Sequence, residues 1–161
     1  MTLTLVSISL VLVYVGGYVI TMHSFPDSIS AMVYDFPQGW QWLWTVWLWL
    51  VSFTIAPPLL EVIKPPFQFV GFLTVACLLF VASMPLVRHE RNTLHYVFAI
   101  AAGILSQVCV LVIKPIALSA WVALPLFLWV FGKEFFKEAV VLVSEVVCVA
   151  TLYGVIILSL K

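Results

Sequence analysis

Charge is scarce in this sequence, and its scarcity excludes more than any single motif establishes. Of 161 residues only 9% are charged, seven basic against seven acidic for a formal net charge of +0, while 65% are hydrophobic. No basic surface is available to neutralise phosphates, so nucleic acid is excluded as a partner. The lysines and arginines are also too dispersed for a polybasic lipid-binding patch. Cysteine is nearly absent: Cys77, Cys109 and Cys148 stand alone, without CxxC or metal-ligand spacing, and read as small buried apolar residues. There is no internal repeat, no low-complexity tract and no stretch polar enough for a soluble domain. The first apolar run lacks a basic segment and a small-x-small cleavage site, which makes it a retained helix rather than a signal peptide.

What is present is a series of apolar runs, reflected in a mean hydropathy of +1.22. Runs of about 17 to 25 residues with almost no charge match the thickness of a bilayer. The reading is an all-α, polytopic transmembrane helix bundle of six helices, forming one domain over 1–161. The first helix covers Thr2 to about Met22, with Gly16 and Gly17 offering a close-packing face that carries Tyr14 and Tyr18. The second runs from Trp40 to about Ala56. Its indoles Trp40, Trp42, Trp44, Trp47 and Trp49 suit the headgroup boundary, as an ordinary interfacial belt or as a lipid-gripping surface.

Pro57-Pro58-Leu59-Leu60-Glu61-Val62-Ile63-Lys64-Pro65-Pro66 reads as a stiff connector that cannot continue a helix. The third helix then runs from Phe67 to about Pro85, and Leu86–Leu94 is the most charged loop. His95 opens the fourth helix, above a stripe of small residues, Ala99, Ala102, Gly103 and Ser106. Lys114-Pro115 divides an apolar stretch of about 36 residues, roughly 54 Å as one helix, which is more than a bilayer requires. A lysine is costly at the bilayer centre and cheap at a turn, so Lys114 marks the boundary. The fifth helix extends from Pro115 to about Phe131, with Pro125 a kink. A loop at Gly132–Glu138 leads to the sixth, Ala139 to about Leu160.

Six helices put both chain termini on one side and the first, third and fifth loops on the other. All three histidines share that polar side. The longest loop, from His23 to Gln38, holds Ser28, Ser30, Asp27 and Asp35 between Pro26 and Pro37, whose fixed φ keeps the backbone extended. Glu145 lies about two turns inside the sixth helix, on nearly the same face as Glu138, and should look into the bundle. A carboxylate in that setting is expensive unless protonated or paired, which marks it as a functional candidate or as a hydrogen-bonded packing group.

The order Pro26-x-Ser28-Ile29-Ser30, then Phe36-Pro37-Gln38 before an aromatic-rich helix, then Thr93-Leu94-His95, then Glu145, resembles the Frag/DRAM/Sfk family of six-helix membrane proteins. Short motifs and hydropathy carry the similarity over most of the chain. The resemblance implies remodelling of GPI-anchor lipid or regulation of membrane lipid.

The residues themselves leave two chemistries open. A hydroxyl nucleophile, Ser30 or Ser28, would need His95 as base and Asp35 or Glu145 to orient it. The same groups, with His23, Arg88, His89, Arg91 and Trp40 around them, could instead grip a lipid headgroup without reaction. Zinc on His23, His89, His95 and Asp35 is disfavoured, because the spacing of His89 and His95 does not put both on one helical face. His89 reads as a solvated loop histidine, and no motif names a cofactor. The expected function is that of an integral membrane protein acting on or binding membrane lipid. Proton-coupled transport through Glu145 is the weaker alternative, since no inverted repeat accompanies it.

Overall fold

The apolar runs become helices because a chain with few polar side chains must satisfy its backbone groups internally. In the computed structural model α1 spans Thr2–Met22, α2 Gln41–Val62, α3 Gln68–Val87, α4 Thr93–Ile113 and α5 Ala123–Ser159, with a 3-10 segment at Pro115–Val122. Residues 1–23, 26–87 and 93–160 are described, the side chains of 38, 123, 127, 128 and 131–139 excepted. No strand occurs among them. Five segments are long and apolar enough to cross a membrane: Thr2–Met22, Gln41–Val62, Pro65–Val87, Thr93–Ile113 and Val140–Ser159, while Pro115–Leu126 is shorter.

Consecutive helices lie against one another, α1 on α2, α2 on α3, α3 on α4 and α4 on α5. Two apolar clusters fill the bundle. One, at the end that carries the turn between α2 and α3, joins Leu59, Val70, Val110 and Ile156. The other, beneath the loop between α1 and α2, joins Tyr18, Met32, Val33, Trp44 and Val81. We call these the turn end and the loop end.

The prolines at 57 and 58 do not end the second helix; α2 continues through both to Val62. Each proline removes one backbone hydrogen bond, but unwinding the last turn in apolar surroundings would expose more N–H and C=O groups than continuing does. The ladder closes with Ile63 N–H donating to the Leu59 carbonyl at 3.2 Å. The reversal falls instead at Ile63 and Lys64, both extended, where Pro65 disfavours helical geometry for its predecessor. Gln68 Nε2 donates to the Leu60 carbonyl across this turn at 2.9 Å. Gly71 permits the close approach, since a Cβ there would stand 2.9 Å from Ile63 Cδ1.

At Gly16 and Gly17 the expected close-packing face is not found, because a Cβ at either would meet nothing within 4 Å. Their neighbours Tyr14 and Tyr18 do the packing, against Trp47 and Phe36. Lys114 is exposed just beyond α4, and the small stripe on α4 has Ala102 and Ser106 buried. Pro125 sits in the first turn of α5, where its missing N–H has no helical partner to lose, so no kink is required there.

The segment Gly132–Glu138 is helical rather than a loop, within one helical assignment from Ala123 to Ser159. Lysine and glutamate are good helix formers, and Gly132 alone costs only about 1 kcal/mol. That run is nonetheless not straight. Trp121 Nε1 donates to Gln107 Oε1 at 2.8 Å, and Thr151 Oγ1 donates to the same oxygen at 3.3 Å, so both side chains meet one amide. A straight helix from 123 to 151 would separate its ends by about 42 Å. The chain therefore doubles back between Trp121 and Thr151. The 3-10 segment thus lies beside α4, and α5 packs against both.

Candidate functional site

The loop after α1 is tied into the bundle by apolar side chains. Met32 and Val33 are fully buried, and the 3-10 turn Met32–Asp35 that carries them is closed by Tyr34 N–H donating to the Ala31 carbonyl at 3.0 Å. Phe36 then packs on Tyr14 and Tyr18 of α1 at centroid distances of 6.1 and 6.0 Å. With these anchors seated, the preceding residues Ser28–Ser30 lie against the final helix.

There Glu145 is the focus. Its carboxylate accepts hydrogen bonds from Ile29 N–H and from the Ser30 hydroxyl, the latter at 2.6 Å, and Ser30 N–H lies 3.4 Å from each of its oxygens. Ser28 Oγ accepts from Ala31 N–H at 3.0 Å and stands 3.3 Å from Ser30 Oγ. Two successive backbone N–H groups and a hydroxyl thus converge on one carboxylate, the geometry of a small anion nest.

His95 lies beside this nest in the first turn of α4 and is fully buried. The Tyr34 ring meets it edge-on at 5.3 Å, and the backbones of Ser30 and Val81 lie against it. Neither ring nitrogen makes a hydrogen bond of good geometry among the described residues.

Ser30, His95 and Glu145 therefore come together, with Ser28 adjoining. The hydroxyl of Ser30 points to Glu145 rather than to His95, so the nucleophile-to-imidazole hydrogen bond of a Ser-His-acid relay is not formed. Asp35 is drawn elsewhere: it accepts the Tyr18 hydroxyl at 2.6 Å. His23 is exposed at the end of α1 with φ 52°, a left-handed conformation that histidine tolerates better than most residues. Trp40 is exposed at the start of α2. Arg88, His89 and Arg91 lie outside the described residues. Among those described, no group of three or more His, Cys, Asp or Glu side chains converges as a metal site would require.

The row of indoles on α2 divides. Trp40, Trp42 and Trp49 face outward, whereas Trp44 and Trp47 turn into the bundle, where Trp47 stacks on Tyr14 at 4.1 Å and donates to the Leu10 carbonyl at 2.8 Å. Sequence reasoning also passed over Gln107, whose amide joins Ser106, Thr151, the Cys148 carbonyl and Trp121. An amide in the middle of an apolar span carries the same signal that singled out Glu145.

Compared with protein families, curated proteins and solved structures, the chain finds no match.

Proposed function

We propose that this chain is a six-crossing membrane protein that holds a membrane lipid by its headgroup at the loop end, in a binding or regulatory role. The observation that carries this reading is the convergence of half-buried Ser30 and Glu145 beside the fully buried His95 at one end of an otherwise apolar bundle. Polar groups are expensive in such a chain and are retained where they meet something polar. The reading of six crossings is supported by five long apolar spans and by the reversal between Trp121 and Thr151, which would let Pro115–Leu126 begin the fifth. Both termini then share the side of the turn end. The resemblance to the Frag/DRAM/Sfk family points to membrane lipid as well.

Binding is favoured over ester chemistry because the Ser30 hydroxyl donates to Glu145 and not to His95, so the hydroxyl-to-imidazole contact that a Ser-His-acid relay needs is not formed. Purified protein incubated with labelled phospholipid, followed by mass spectrometry of bound and released lipid, separates the two. Retention of intact phospholipid at about one per chain is the expected result. Release of labelled fatty acid or lysolipid would establish an enzyme instead, and the absence of bound lipid would remove the headgroup reading.

A further inference from the structure

We propose that residues 26–31 form a lid beside His95, anchored at the fully buried Met32 and Val33, and that Glu145 is the latch that holds it shut. This concerns the regulation of the site proposed above and rests on that reading only for what enters. A neutral imidazole carries one donor and one acceptor, and a fully buried one ordinarily satisfies at least one of them. His95 satisfies neither with good geometry among the described residues, although it is fully buried. The Ser30 and Val81 backbone groups hold the ring only loosely, which leaves it able to donate to an oxygen of an entering headgroup.

The cover over His95 is the loop itself, through the Tyr34 ring and the Ser30 backbone. Ser30 is the shared residue, since its N–H and hydroxyl are the groups that Glu145 takes from the opposite side. A side chain 115 residues further along the chain thus holds the residue that covers the histidine. Pro26 stiffens the outer end of the segment, and the burial of Met32 and Val33 fixes its inner end. When the carboxylate leaves, the two N–H groups it occupied become donors for a phosphate oxygen, so a phosphate-bearing headgroup competes directly with the latch.

Carbethoxylation of histidine in the purified full chain, quantified by peptide mass spectrometry, tests the lid without any lipid. The exposed His23 is the internal reference. In the unaltered protein His95 should react far more slowly than His23. Glu145→Ala should raise the His95 rate by about tenfold or more, the equivalent of losing one charge-assisted hydrogen bond, with His23 unchanged. Glu145→Asp retains the charge but withdraws it by one methylene, and should raise the rate by about threefold while folding normally. Wild-type His95 reacting as fast as His23 would overturn the lid. So would Glu145→Asp and Glu145→Ala proteins that both keep wild-type protection. Phospholipid content measured in the same samples reports separately on the headgroup: unchanged lipid with a newly reactive His95 keeps the lid and removes the lipid.

Discussion

The two ends of the bundle solve the same problem differently. At the turn end the packing is aliphatic, and buried hydroxyls mostly return to their own helix, as Thr74 Oγ1 does to the Val70 carbonyl at 2.9 Å. The main cross-link there is Ser7 Oγ with the Tyr153 hydroxyl, at 2.5 Å. Thr4 Oγ1 makes no hydrogen bond among the described residues. At the loop end the packing is aromatic and the polar contacts join distant parts of the chain: Glu145 with Ile29 and Ser30, Tyr18 with Asp35, and Thr45 Oγ1 with the Ala82 carbonyl at 2.7 Å. The Tyr14 hydroxyl and Trp44 Nε1 are buried there without hydrogen bonds among the described residues, and both His95 nitrogens without one of good geometry. One end is built to stay closed, while the other tolerates unmet polar groups, the kind of local exception that accompanies a site.

The largest expected effect is categorical and tests whether these ends face opposite sides of a membrane. In a background lacking the native cysteines, Lys114→Cys and His23→Cys should label with an impermeant thiol reagent from opposite sides. Labelling of both from one side would break the six-crossing arrangement.

A graded contrast follows from packing. Leu59 is fully buried at the turn end, and lipid tails are as apolar as leucine, so the cost of Leu59→Ala comes mainly from the cavity it leaves. A destabilisation of about 2 kcal/mol is expected, measured by reversible unfolding in mixed micelles, with phospholipid retention unchanged. A loss of lipid without loss of stability would erase the distinction between the ends.

The smallest effects concern single hydrogen bonds. Gln107→Leu removes the shared partner of Trp121 and Thr151 and should cost about 1 kcal/mol. Tyr18→Phe removes the bond to Asp35 at the rim and should cost about 0.6 kcal/mol, while increasing proteolysis within residues 26–37. Equal loop protection in both Tyr18 forms would show that Asp35 does not restrain the loop.

Much of the site was legible as residue types but not as partners. Glu145 stands out as a carboxylate in an apolar run, Ser30 as a hydroxyl in the one long polar loop, and His95 as a polar group at a helix start. Nothing local shows that Glu145 would take Ile29 N–H and the Ser30 hydroxyl, or that Asp35 would go to Tyr18. Trp44 and Trp47 differ from Trp42 and Trp49 only in helical phase, and phase acquires meaning once neighbouring helices are in place.

The sequence by itself determined that the chain is helical and apolar, where its long spans lie, and that Lys114 marks a turn. Those properties sum over neighbouring residues, because hydropathy and the cost of a charge act locally along the chain. Tertiary structure alone decided that α2 runs through Pro57 and Pro58, that the chain doubles back between Trp121 and Thr151, and that Glu145 takes the Ser30 hydroxyl. Each of these depends on what surrounds the segment to satisfy a backbone or side-chain hydrogen bond, and packing settles that, across 115 positions in the case of Ser30 and Glu145.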